Sequence, residues 1–217
     1  MAQIAEDLFL LLLDNASAQP NLERHRRARV LSAAVLLDLA YACRIRPAVA
    51  GESVEPGRLI ALATTPAVPD PVAEPAFALL RRRPLRPATA LKRLSRHIED
   101  DVSGYLEHAG QIRRIRLGPK ESAWPLTNRE RVGHARSALL AALFDRNPPT
   151  PATAAIVTLL HAVDGLGALL SLNDRGWRWV HARAAEIASG SWVDEYPAAL
   201  PEVNLAVTAS AVRHALG

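Results

Sequence analysis

The chain has 217 residues, 49% of them hydrophobic and 22% charged, with a formal net charge of +4 and a pI near 9.8. This places it among ordinary globular proteins, with apolar material for a real core, and its single cysteine, Cys43, excludes an internal disulfide or a cysteine cluster for zinc. Lys92 and Lys120 are the only lysines, so the basic side is arginine, which grips phosphate bidentately; a GC-rich genome gives the same composition, so basicity alone says little about partners.

In chain order, residues 4–14 predict a short helix with Glu6 and Asp7 in its first turn. The apolar run from Leu8 to Leu13 is too short for a signal peptide, and acids precede it where positive charge is needed. Residues 22–42 predict a second, long helix. Its first half carries Arg24, His25, Arg26, Arg27 and Arg29, and its second half is apolar apart from Ser32, Asp38 and Tyr41. Such a helix leaves the core with an arginine-rich end, either as a solvated face or as an anion site. Residues 44–64 read as a hairpin, residues 65–75 as a proline-rich connector, and residues 75–83 as a short helix ending in three arginines.

Residues 87–109 predict one amphipathic helix. Leu91, Leu94, Ile98, Val102, Tyr105 and Leu106 recur at intervals of three and four, and Gly110 stops it. A second hairpin is expected over 112–124, with Arg113, Arg114 and Arg116 alternating with Ile112, Ile115 and Leu117. Thr127 and Glu130 suggest a capping box for the following helix, whose stripe is Val132, Ala135, Leu139 and Leu143. Residues 150–173 form the most apolar stretch. Thr150 is placed to cap it and Pro151 suits its first turn. Asp164 argues for a buried central helix rather than a membrane span, and Gly165 and Gly167 allow either close packing or a break. Residues 173–189, with Gly190 at their end, and a segment opening at Pro201 complete the helices. The expected fold is therefore mainly α: a single helical domain over 1–217 around a buried helix bundle, with one or two small β-hairpins.

Catalytic signatures are lacking. The sequence has no glycine-rich phosphate loop, no His-Glu-x-x-His and no Gly-x-Ser-x-Gly, and no metal or cofactor is expected. His161 and Asp164 at i and i+3 read as a buried histidine satisfied by a carboxylate, and Asp38 as an acid paired to an arginine. Trp124, beside the basic hairpin, is the tryptophan placed like an interfacial anchor. Nucleic acid is not an expected partner, because neither a helix-turn-helix signature nor an aromatic stacking platform is present.

The order of these elements carries a resemblance. Residues 5–14, Val35-Leu36-Leu37-Asp38-Leu39-Ala40, the hairpin after Arg44-Ile45, Tyr105-Leu106-Glu107-His108-Ala109-Gly110, Trp124-Pro125-Leu126-Thr127-Asn128 and residues 160–166 together resemble the Golgi phosphoprotein 3 family and its bacterial relatives, over about the whole chain. The resemblance implies a cytoplasmic, peripheral membrane protein. It would bind anionic phospholipid headgroups, phosphatidylinositol 4-phosphate in particular, and act as a non-enzymatic adaptor with protein clients and possible oligomers.

The same resemblance puts the family's lipid-contacting tryptophan near Glu23, one arginine at Ser32 and two more at Arg96 and Glu99. Arg29 and Arg93, each three residues before a family position, are expected to rebuild the site, giving Arg29, Ser32, Arg93 and Arg96 as headgroup residues. Glu99 would then have to turn outward or be neutralised by Arg93. Arg113, Arg114, Arg116 and Trp124 are the expected membrane-contacting residues. A protein-interaction or regulatory module that has lost lipid binding is the second reading. The two differ in whether the arginines of the second helix, the amphipathic helix and the hairpin share one surface.

Overall fold

Three apolar helices make the centre of the molecule, whose computed structural model describes residues 4–62, 70–119, 121–193 and 199–217. The first, α1 (Ile4–Leu12), is buried at every position except Asp7. The second, α2 (Arg24–Tyr41), is buried without interruption from Val30 to Ala40. The third, α7 (Pro151–Ala162), is buried from Thr153 to Leu160. A helix apolar all round needs neighbours all round, and α2 has them: α1, α7, α9 (Leu200–Leu216), α4 (Pro87–Leu94) and α5 (Ile98–His108). The amphipathic α8 (Asp174–Ala188) and α9 cover α7, while α6 (Glu130–Phe144) lies on α1 and α7. The centre is thus shared by three helices rather than held by one.

Two antiparallel hairpins flank the bundle. Strands β1 (Ile45–Pro47) and β2 (Leu59–Ala61) pair Ile45 with Ala61 and Pro47 with Leu59, and lead to α3 (Glu74–Arg82). Strands β3 (Ile115–Arg116) and β4 (Ser122–Ala123) form the second, extended by an Ile112–Leu126 bridge. The mainly α fold with two small hairpins is as the sequence predicts. Residues 65–69 of the proline-rich connector lie outside the described residues, and residues 70–75 run into α3. Gly110 and Gly190 end α5 and α8 at the expected places with positive φ angles of 68° and 87°, a conformation glycine adopts without a Cβ penalty.

The stretch 150–173 is not one helix. Thr150 caps α7 as expected, its hydroxyl accepting from the Thr153 amide at 3.2 Å. The helix ends at Ala162, Asp164 adopts φ 51°, and the Gly165 amide turns back to the Leu160 carbonyl at 2.7 Å before a 3-10 turn at Leu166–Ala168. A Cβ on Gly165 would come within 3.1 Å of Val163 Cγ2 and 3.2 Å of Leu160 Cδ2, so a side chain there would press on both neighbours. Asp164 is consequently exposed and forms no pair with His161. The His161 ring instead faces His181 at 5.8 Å, its Nδ1 buried without a partner among the described residues, and burial lowers its pKa.

The stretch 87–109 is likewise two helices. Ser95 Oγ donates to the Leu91 carbonyl at 2.6 Å, and a turn at Ser95–His97 separates α4 from α5. Lys92 and Arg93 then suit the C-terminal end of one dipole, and Glu99, Asp100 and Asp101 the N-terminal end of the next. The capping box at Thr127 is also absent. Thr127 Oγ1 donates to the Gly110 carbonyl, and Asn128 Oδ1 accepts from the Glu130 amide at 2.8 Å.

Asp38 has no arginine partner. Its two oxygens accept from the Ile4 and Ala5 amides at 2.8 and 3.0 Å, capping α1 from across the core. Burial pushes its pKa well above the usual carboxylate range, against the pull of those two donors. Glu6 and Asp7 hold Arg131 of α6 at 2.6 and 2.7 Å, and burial raises both their pKa values.

Candidate functional site

The polar first half of α2, the α4–α5 turn and the second hairpin enclose a cleft of about 300 Å³. Arg24 and Arg27 reach it from α2, Arg96 from the turn and Arg114 from the hairpin. Arginines from all three segments therefore do share one surface. Three carboxylates, Glu99, Asp100 and Glu121, line the same cleft.

The cations are not equivalent. Arg27 is 8% exposed; its Nη2 meets Glu99 Oε1 at 2.7 Å and its Nη1 donates to the Leu22 carbonyl at 2.6 Å. Such a pair is structural, since Arg27 is buried and Glu99 half-buried, and removing either leaves the other poorly solvated. Arg114 lies 3.8 Å from Asp100 and donates from Nε to Ser122 Oγ at 3.2 Å. Arg24 and Arg96, both exposed, have no hydrogen-bond or ion-pair partner among the described residues. Of the buried side-chain donors without a partner among the described residues, Arg27 Nε and Trp124 Nε1 belong to residues lining the cleft, and others, Arg131 Nη2 among them, lie elsewhere. Buried donors without acceptors are uncommon and call for an explanation. The lining suits an acceptor-rich, anionic group.

The expected site residues divide. Arg96 is at the cleft. Ser32 is fully buried, its hydroxyl donating to the Ala28 carbonyl and meeting Ser95 Oγ at 3.2 Å, so it is a helix-packing contact and cannot reach a ligand. Arg29 lies in an adjoining groove, with Nη2 on the Ala215 carbonyl at 2.9 Å. Arg93 is exposed and lines neither space. Glu99 neither turns outward nor pairs with Arg93, because Arg27 holds it. Arg24, Arg27 and Arg114 complete the cleft instead. Arg24 and Arg27 are spaced i and i+3, which puts them on one helix face, and that spacing was the signal available in the sequence.

On the hairpin, Arg113, Arg114 and Arg116 are exposed, and so are Ile115 at 36% and Leu117 at 55%. The Arg114 amide donates to Glu107 Oε1 at 2.9 Å, fixing the hairpin to the end of α5. Trp124 is not on that surface. It is 6% exposed, edge-on to Phe9 at 5.7 Å, with its amide donating to the Ala18 carbonyl at 2.7 Å. The indole is a wall of the cleft and of the core rather than an exposed anchor. No helix among the described residues is long and apolar enough to cross a membrane.

A search of curated protein sequences gives no significant match. A family model does match: the model described as Golgi phosphoprotein 3 (GPP34) covers residues 4–203, which include the cleft, both hairpins and all three central helices. The chain belongs to the Golgi phosphoprotein 3 family.

Proposed function

We propose that this protein associates peripherally with an anionic membrane, the hairpin entering the interface and the cleft receiving a lipid phosphate. The observation that carries the reading is the pair of exposed guanidiniums, Arg24 and Arg96, that face one cleft without a partner among the described residues, beside the basic hairpin. A phosphate monoester supplies the charge and the several acceptor oxygens that such a pair requires. The exposed Ile115 and Leu117 supply apolar area for the headgroup region, and Arg113, Arg114 and Arg116 attract an anionic surface. Family membership favours a phosphoinositide, phosphatidylinositol 4-phosphate first, and a non-enzymatic adaptor role on the cytosolic face of a membrane.

The three carboxylates in the cleft make its formal excess only one positive charge, four arginines against Glu99, Asp100 and Glu121. Affinity for the headgroup alone is therefore expected to be modest, with the hairpin supplying much of the membrane binding. Liposome co-sedimentation of wild type and an Ile115→Asp/Leu117→Asp variant tests this. The variant should lose most binding to vesicles containing phosphatidylinositol 4-phosphate while keeping its fold by circular dichroism, and undiminished binding would remove the hairpin from the mechanism. A protein-interaction role has its own support in the exposed Leu140, Phe144 and Trp179, the last two rings stacked at 5.8 Å between α6 and α8.

A further inference from the structure

The cleft shares Arg24, Ala28 and Ser95 with a second, larger space, a groove of about 650 Å³ between α2, α4 and the end of α9. Its apolar surface comes from short side chains, Ala28, Ala88 and Ala215, with Leu91. Small residues at these positions keep the helices from filling the space between them. Around it stand Arg24, Arg29 and Lys92, with His25, whose Nδ1 lies 3.8 Å from Glu23, and no carboxylate is among its described lining residues. Arg29 is anchored at one end through the Ala215 carbonyl, while Arg24 and Lys92 are exposed and have no ion-pair partner among the described residues.

The volume falls within the roughly 300–1,000 Å³ typical of small-molecule sites, and apolar walls with a few placed charged groups are their usual composition. Charge and polarity here are largely segregated, with an apolar floor and a basic rim of Arg24, Arg29 and Lys92 beside His25 and Ser95. Water would leave the alanine-rich surface unpartnered, and a small inorganic anion would answer the cations without covering it. A neutral chain would cover the surface and leave three cations without counter-charge. A molecule with one anionic end and one apolar chain answers both.

We infer that the groove binds a free single-chain anionic amphiphile, a long-chain carboxylate of the fatty-acid type. The carboxylate lies among Arg29, Arg24 and Lys92, where a guanidinium fork matches its two oxygens. The chain runs along Ala28, Ala88 and Leu91. This site is separate from the headgroup cleft in all but the shared wall, and does not depend on that reading.

Calorimetric titration of the full chain with dodecanoate, below its micelle concentration, tests the assignment. One dodecanoate should bind per chain. Arg29→Gln/Lys92→Gln should weaken it at least tenfold, and Ala88→Phe, at an exposed position of α4 where the larger side chain fills the groove without entering the core, should do the same. Arg96→Ala, which touches only the cleft, should bind dodecanoate like wild type, so failure here and failure of the headgroup reading are told apart. Equal affinity for uncharged dodecyl maltoside would overturn the proposal, as would dodecanoate binding unaffected by either groove variant. Binding of hexaglutamate in place of dodecanoate would assign the groove to an acidic protein segment and overturn it equally.

Discussion

The cleft and the groove draw arginines from the same end of α2, yet they differ in what answers those arginines. In the cleft, Arg27 is held by Glu99 and Arg114 lies near Asp100, leaving Arg24 and Arg96 as the cations without partners. In the groove no carboxylate among the described lining residues stands opposite Arg24, Arg29 and Lys92. Counting arginines therefore does not locate an anion site. What matters is the charge left over after local pairing, and whether a cation is held as structure or presented as surface.

The largest expected effect separates those two kinds of arginine. Arg27→Ala leaves Glu99 half-buried and without its ion pair and should destabilise the fold by about 1–3 kcal/mol, read as a lower denaturant midpoint. Glu99→Arg restores the residue type the family resemblance implies there. It should be at least as damaging, because it sets a second guanidinium against the buried Arg27. If either variant keeps wild-type stability, the Arg27–Glu99 pair is not structural and the distinction drawn here fails.

Next comes the hairpin. Replacing Arg113, Arg114 and Arg116 by Gln removes about 1 kcal/mol each of attraction to an anionic surface, or roughly a hundredfold in vesicle affinity at low salt. The gap should narrow as ionic strength rises and the Debye length shortens. Equal vesicle binding at low salt would exclude the three side chains. A smaller effect sharpens the comparison directly. Asp100→Asn with Glu121→Gln leaves Glu99, already held by Arg27, as the one carboxylate of the described cleft lining, and should raise affinity for anionic vesicles several-fold. Smallest of all, Arg93→Gln should change neither stability nor vesicle binding measurably, because Arg93 lines neither space.

What the sequence made legible follows from the range of the interactions. The Thr150 cap, the Gly110 and Gly190 stops and both hairpins rest on neighbours in the chain, and each is where its local chemistry puts it. The break between α4 and α5 was hidden because the Leu91, Leu94, Ile98, Val102 stripe runs through it at helical spacing; the informative signs were Ser95 and the change from Lys92-Arg93 to Glu99-Asp100-Asp101. Asp38, Trp124 and Glu99 were misread for one shared reason. Each is satisfied or buried by residues far away in the chain, namely the Ile4 and Ala5 amides, Phe9 and Arg27. The candidate site was legible as a concentration of arginine on the right elements. Which arginines reach the cleft depended on helix phase and on pairings that only the tertiary fold determines.

The central claim is that the cleft distinguishes a phosphate monoester from diffuse negative charge. Co-sedimentation with two vesicle populations matched in surface charge, one carrying phosphatidylinositol 4-phosphate and the other phosphatidylserine, measures this most directly when wild type and Arg96→Ala are compared. Wild type should prefer the phosphoinositide vesicles, and Arg96→Ala should bind both equally, at the level wild type shows for phosphatidylserine. Wild type binding the two populations alike, or an undiminished preference in Arg96→Ala, would contradict the account.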